Sequence, residues 1–174
     1  MAKIKIVILD RDGTLIENVD YLNDKNLIKF LPGCIETLKL LHQLNYSLYI
    51  VTNQSGIGRG IISHTQYAEV TGELTTFLKR AGVNILDVKH CPHVPEDVCG
   101  CRKPNIELGL QIIQNGDIDF ENSYVIGDSL TDMEFGANLN LQCILIGNRV
   151  ERKGSTYLNF KDWYSIKDFI TGVK

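Results

Sequence analysis

The stretch Ile4-Lys5-Ile6-Val7-Ile8-Leu9-Asp10-Arg11-Asp12-Gly13-Thr14 decides the fold. An apolar run of strand length ends in two carboxylates two residues apart. In an extended segment positions i and i+2 share a face. Gly13 then lets the chain turn sharply into Thr14. The result is a small acidic pocket at the carboxyl end of a strand, where open α/β sheets bind their ligands. One carboxylate can attack as a nucleophile while the other handles protons. Two such charges facing an anionic substrate call for a cation.

Working outward, strand and helix signals alternate. Residues 3–9 read as the first strand. Pro32 opens a helix with Ile35, Leu38, Leu41 and Leu44 on one stripe. Residues 46–51 form a second strand that ends in Thr52-Asn53. Ser63 and Gln66 make a capping box for a helix presenting Tyr67, Val70, Leu74, Phe77 and Leu78, which Gly82 stops. Residues 85–90 give a third strand, 106–113 a helix ended by Gly116, and 123–126 a fourth strand closing in Gly127-Asp128. A short helix over 131–139, a fifth strand over 141–146 and a last helix over 165–170 complete the series. The alternation predicts an α/β fold with a parallel sheet covered by helices on both faces. The 174 residues read as one domain over 1–174, without repeat or linker. The polar loop 17–30 is too short for a cap domain and long enough only for a small flap.

A net charge of -3 gives no electrostatic footprint for nucleic acid. No apolar run approaches the ~20 residues of a membrane span. The start, Met1-Ala2-Lys3-Ile4-Lys5, lacks a signal-peptide pattern. The expectation is a cytosolic monomer with no nucleic-acid or membrane partner.

The five cysteines are unevenly placed. Cys34 and Cys143 sit inside apolar patterns, as buried inert thiols do. Cys91, His93, Cys99 and Cys101 crowd eleven residues and supply three sulfurs and one nitrogen, the inventory of a closed tetrahedral zinc site. No position is left for water, so its role is structural. Such a clip pins a loop whose next residues are Arg102 and Lys103.

The remaining polar clusters fall at strand ends. Asp10 and Asp12 follow the first strand, Thr52, Asn53 and Gln54 the second, and Asp128 the fourth. A parallel sheet brings those ends together. Asp10-x-Asp12-Gly13-Thr14, Thr52-Asn53-Gln54, Arg102-Lys103-Pro104 and Gly127-Asp128-x-x-x-Asp132 resemble the four motifs of the haloacid-dehalogenase-like (HAD) phosphatases. Within them, Asp10-Arg11-Asp12-Gly13-Thr14, the stretch Thr52 to Gly60, and Cys91-Pro92-His93 with Cys99-Gly100-Cys101 resemble the D,D-heptose 1,7-bisphosphate and histidinol-phosphate phosphatase group.

That resemblance implies a Rossmannoid sheet without a large cap, a small phosphorylated sugar as substrate, and magnesium beside the structural zinc. It makes Asp10 the nucleophile and Asp12 the acid and base. The Asp10 carboxylate, the Asp12 carbonyl and the Asp128 carboxylate become the magnesium ligands, with Asp132 in the outer shell. Thr52, Asn53, Gln54 and Lys103 would contact phosphate, and Arg102 and Arg59 would clamp a second anionic group. The Ser55 to Gly60 stretch and Asp20-Tyr21 favour a heptose bisphosphate. The five-residue gap between His93 and Cys99 favours histidinol phosphate. A nucleic-acid 3′-phosphatase, with a similar Thr-Asn-Gln…Gly-Arg-Gly stretch, and a non-catalytic phosphate-binding protein remain alternatives from other classes.

Overall fold

Six strands lie side by side and parallel, in the order β3-β2-β1-β4-β5-β6. They are β1 (Lys5–Leu9), β2 (Tyr46–Asn53), β3 (Ile85–Cys91), β4 (Tyr124–Gly127), β5 (Gln142–Ile146) and β6 (Leu158–Phe160). The helices are α1 (Cys34–Gln43), α2 (Ser55–Gly58), α3 (His64–Arg80), α4 (Glu107–Ile113), α5 (Leu130–Asn138) and α6 (Trp163–Thr171). The structure, a computed structural model, describes residues 3–114, 116–147 and 156–172. Met1 and Ala2, part of the expected leaderless start, fall outside the described residues.

The pleat of β1 explains the layers. Val7 and Leu9 point into one core with Leu38 and Leu41 of α1, Val70, Leu74 and Leu78 of α3, and Trp163 and Ile166 of α6. Ile6 and Ile8 point the other way, into a second core with Leu108 and Ile112 of α4, Phe135 of α5 and Leu139 just past its end. Both faces of β1 are therefore dry, which is why it reads as an unbroken apolar run. The chain moves outward from β1 through β2 to β3, then returns to the other side of β1 for β4. That reversal puts the crevice between the carboxyl ends of β1 and β4, where open sheets bind ligands.

Several sequence expectations need adjustment. Helix α3 begins at the expected capping box, with Ser63 and Gln66 each accepting from the other's backbone. Phe77 leaves its core stripe: it is 48 % exposed and stacks on Phe30 at 4.9 Å, holding down the 17–30 loop. Leu44, also placed on a core stripe, lies past the end of α1 and is exposed. Ser55–Gly58, for which the sequence predicts no element, is a one-turn helix. β6 was not foreseen. The 17–30 loop holds a 3-10 turn at Lys25–Leu27 and is tied by bridges between Ile16 and Phe30 and between Asp12 and Ile16. Cys34 and Cys143 are buried as expected. Among the described residues no helix is long and apolar enough to cross a membrane.

Candidate active site

A cavity of about 610 Å³ opens at the β1/β4 reversal, lined among others by Asp10, Asp12, Thr52, Asn53, Arg102, Lys103, Asp128 and Asp132. Asp10 leaves β1 with its N–H donating to Ile126 of β4 at 3.0 Å. Gly13 turns the chain away at φ +78°, and a Cβ there would lie 2.5 Å from Asp128 Oδ2. Glycine at that position lets the β1 loop and the β4 end approach each other.

Lys103 is buried at the centre. Its Nζ donates to Asp10 Oδ1 at 2.7 Å, Asp132 Oδ1 at 2.6 Å and the Val51 carbonyl at 2.7 Å. A lysine has three protons to give, so all are engaged. Burial disfavours its charge, but the Asp10 and Asp132 carboxylates outweigh burial and hold its pKa above the ordinary lysine value. Asp132 has a second task that the sequence did not reveal. Its Oδ2 accepts from Ser129 N and Oγ, closing a capping box at the start of α5.

Burial raises the Asp10 carboxyl to about 7; Lys103 opposes the rise, and Asp132 and then Asp12 add to it. One ligand atom each from Asp10, Asp128 and Asp132 lies within 4.8 Å of the others. Counting Asp12, four carboxylates meet the two cations Lys103 and Arg11, which leaves two formal negative charges. That excess, together with hard oxygen donors and an acid whose ionisation burial resists, fits a divalent cation such as magnesium.

Asp12 lines the same cavity but has different partners. Arg11 and Gln54 grip its carboxylate: Arg11 Nη2 lies 2.9 Å from Oδ2, and Gln54 Nε2 donates to Oδ2 at 2.8 Å. Gln54 Nε2 also donates to Thr52 Oγ1 at 2.9 Å. Gln54, expected at the phosphate, is thus 6 % exposed and committed to Asp12 and Thr52. Asn53 pairs with the Lys103 backbone, accepting from its N–H at 3.0 Å and donating to its carbonyl at 3.1 Å. It fastens the 102–103 segment to β2.

The cysteine segment forms the rim. Sγ atoms of Cys91, Cys99 and Cys101 lie 3.1 to 3.7 Å apart, and His93 Nδ1 lies 3.2 Å from Cys101 and 3.5 Å from Cys91. All three thiols are free. Zinc–sulfur bonds of about 2.3 Å span a tetrahedral S···S edge of about 3.8 Å, so the donor set and its spacing fit zinc. Arg102 Nη1 donates to the His93 carbonyl at 3.2 Å and faces the cavity. Arg59 does not join it. It sits at the end of α2, 40 % exposed, 4.0 Å from Glu96, and lines neither this cavity nor its neighbour. Of the two arginines expected to clamp a second anionic group, Arg102 lines the cavity and Arg59 does not.

A family model described as HAD-hydrolase-like matches residues 100–166. The chain is 37 % identical over 152 residues to the D-glycero-alpha-D-manno-heptose-1,7-bisphosphate 7-phosphatase of Photorhabdus laumondii, covering 83 % of each chain. It is 39 % identical over 143 residues to the histidine biosynthesis bifunctional protein of Blochmanniella floridana, covering 80 % of this chain but 40 % of that one. The crystal structure of D,D-heptose 1,7-bisphosphate phosphatase from B. bronchiseptica superposes with a TM-score of 0.85 at 24 % identity, covering 98 % of this chain and 100 % of that one, so it shares the fold. With the strand-end carboxylates and the cysteine clip in place, the chain belongs to the HAD-like phosphatases, in the family of the D,D-heptose 1,7-bisphosphate and histidinol-phosphate phosphatases.

Proposed function

We propose that this chain is a magnesium-dependent phosphomonoesterase that removes the 7-phosphate of D-glycero-D-manno-heptose 1,7-bisphosphate through an aspartyl-phosphate intermediate. One observation carries the reading: Asp10 and Asp12 share a cavity but have opposite surroundings. Asp10 faces Lys103 and the other carboxylates, while Asp12 is gripped by Arg11 and Gln54.

In the first step an Asp10 carboxylate oxygen attacks phosphorus, and the bond from phosphorus to the sugar oxygen breaks. Asp12 gives its proton to the departing alkoxide. In the second step water attacks phosphorus while Asp12 takes its proton. The bond to Asp10 breaks, and phosphate leaves. The Thr52 hydroxyl accepts from Gln54 and keeps its own proton for a phosphate oxygen. Lys103 reaches phosphate by releasing one of its three acceptors, and Asp10 is the one whose role changes on phosphorylation. The Asp10 and Asp128 carboxylates and the Asp12 carbonyl would hold magnesium, with Asp132 in its outer shell, and the ion would supply the charge neutralisation that lets a carboxylate meet a phosphate. Zinc on Cys91, His93, Cys99 and Cys101 keeps the rim in place.

The Photorhabdus relative supports the heptose substrate, and so does charge. A second phosphate gives Arg102 an anion while the reacting phosphate sits at Lys103. Histidinol phosphate is a second reading with one observation in its favour: Asp97 lines the same cavity and offers a carboxylate to an amine. The deciding experiment is kcat/KM for phosphate release from both anomers of heptose 1,7-bisphosphate, histidinol phosphate and a 3′-phosphorylated oligonucleotide. The heptose bisphosphate is expected to lead. Preference for either of the others overturns the substrate, and no release from any overturns the phosphatase.

A further inference from the structure

We propose that Arg11 is a positioning residue that fixes which oxygen of Asp12 exchanges protons. Arg11 is 1 % exposed, rare for a cation even when paired. Its Nε donates to Asp12 Oδ1 at 3.1 Å and to Oδ2 at 3.0 Å, and its Nη2 lies 2.9 Å from Oδ2. With Gln54 Nε2 at 2.8 Å, Oδ2 receives two hydrogen bonds and the ion-pair contact from Nη2. Oδ1 receives only the shared, longer Nε contact. The two oxygens of one carboxylate are thereby made unequal. Oδ2 is saturated and anchored, and Oδ1 keeps lone-pair capacity to meet a leaving oxygen or a water.

The grip is itself braced. The Arg11 guanidinium lies over the Tyr67 ring of α3, 5.6 Å from its centroid, and Tyr67 stacks against His90 of β3 at 4.1 Å. The ring face favours the cation and fixes its plane. Lysine cannot reproduce this, because its ammonium offers no planar fork. Arg11 Nη1, buried and with no hydrogen-bond partner, shows that the guanidinium is oriented for Asp12 and not for its own saturation. Arg11 lines a neighbouring cavity and not the one lined by Asp10 and Lys103, while Asp12 borders both, so the carboxylate stands between its grip and the reacting cavity.

The inference rests on the phosphatase reading, and the test separates the two. kcat/KM is measured on a simple alkyl phosphate and on p-nitrophenyl phosphate, for wild type, Arg11→Met, Arg11→Lys, Gln54→Leu, Asp12→Asn and Arg11→Met/Asp12→Asn. An alkoxide needs a proton to leave and a nitrophenolate does not. A displaced Asp12 should therefore lower the alkyl value by about 10- to 100-fold and the aryl value by less than about threefold. Arg11→Lys should not rescue the loss. The double variant should be no worse than Asp12→Asn alone, because both changes remove the same proton transfer. Equal losses on the two esters, or losses that multiply in the double variant, overturn the proposal and leave Arg11 a structural residue. If Arg11→Met does not fold, Gln54→Leu carries the same leaving-group comparison, and equal losses there overturn it equally. Heptose 1,7-bisphosphate, itself an alkyl phosphate, serves as the alkyl ester if the simple one is not turned over, and wild-type protein inactive on it and on both esters defeats the phosphatase reading and this inference with it.

Discussion

Asp10 and Asp128 reach their cavity from the ends of β1 and β4 and Asp132 from the start of α5, whereas Cys91, His93, Cys99 and Cys101 come from eleven consecutive residues. The first group is held by the sheet. β1 and β4 are paired in register, and both faces of β1 are packed, so the carboxylates stay in place whatever occupies the space between them. The second group has β3 at one end only, and beyond Cys91 its loop has no ladder to lean on. Among the described residues outside contacts reach it singly, such as Gly58 N–H to the Pro92 carbonyl and Asn105 Nδ2 to the Cys99 carbonyl, so much of its order is expected to come from what its own donors bind. One ion site is thus expected to serve chemistry on a rigid frame, and the other to create the frame it stands on.

The largest effect to look for is at the sheet-held group. Asp10→Asn keeps the side-chain shape but removes the nucleophile. Turnover should fall below detection while Tm, followed by circular dichroism, stays close to wild type. Beryllium fluoride should bind wild type but not the variant. Wild-type-like turnover in protein free of contaminating phosphatase would sink the covalent mechanism. A large fall in Tm would show that the frame depends on its contents and would erase the contrast.

Asp12→Asn comes next, with a loss of about 10²–10⁴-fold on alkyl phosphates. The two ions should then separate the regions directly. Elemental analysis of protein purified without chelator should find one zinc and one magnesium per chain. Stripping magnesium should stop turnover reversibly with little change in Tm. Loss of the clip ligand in Cys99→Ser should release the eleven-residue loop at a cost of about 3 kcal/mol, or roughly 6–12 °C in Tm. Thermal melts in which magnesium removal costs more than clip loss would reverse the comparison.

The smallest effects lie between the regions. Arg102 is tied to the His93 carbonyl and faces the cavity. Losing one charge-assisted contact of ~1.5–3 kcal/mol should reduce the preference for heptose bisphosphate over histidinol phosphate by roughly ten- to a hundredfold in Arg102→Ala. An unchanged preference removes Arg102 from the explanation. Arg59→Ala, outside the cavity, should stay within about twofold on either substrate.

Much of this was legible in the sequence because strand ends announce themselves. Apolar runs at Leu9, Val51 and Ile126 stop at polar residues, and a parallel sheet gathers those stops. The cysteine clip was legible because its spacing is local. What escaped notice was set by burial or by partners distant in sequence. β6 is three residues, Leu158–Phe160, too short for any periodicity. Helix α2 contains Gly56 and Gly58, a residue type poorly suited to a helix by propensity. Its Gly58 N–H donates to the Pro92 carbonyl at 2.8 Å, and that close approach calls for glycine, since a Cβ there would lie 2.7 Å from the same oxygen. Gln54 is expected at the phosphate because it continues the Thr52-Asn53-Gln54 motif that follows the second strand. Only the fold shows its amide turned to Asp12. Arg11 gave one usable signal, a cation between two carboxylates, although charged residues ordinarily point to solvent.

The segment between His93 and Cys99 is fastened at both ends by the clip, and Pro95, Asp97 and Val98 within it form one wall of the cavity. Lengthening a loop whose ends are already joined costs little, about 0.6 kcal/mol per doubling. This is therefore the place where insertions can accumulate without disturbing Asp10, Asp12 or their cation. Evolution, or an engineer, can exchange these few residues as a cassette and present a different wall to the substrate while the reaction stays the same. The metal that stiffens the rim is what makes the rim replaceable.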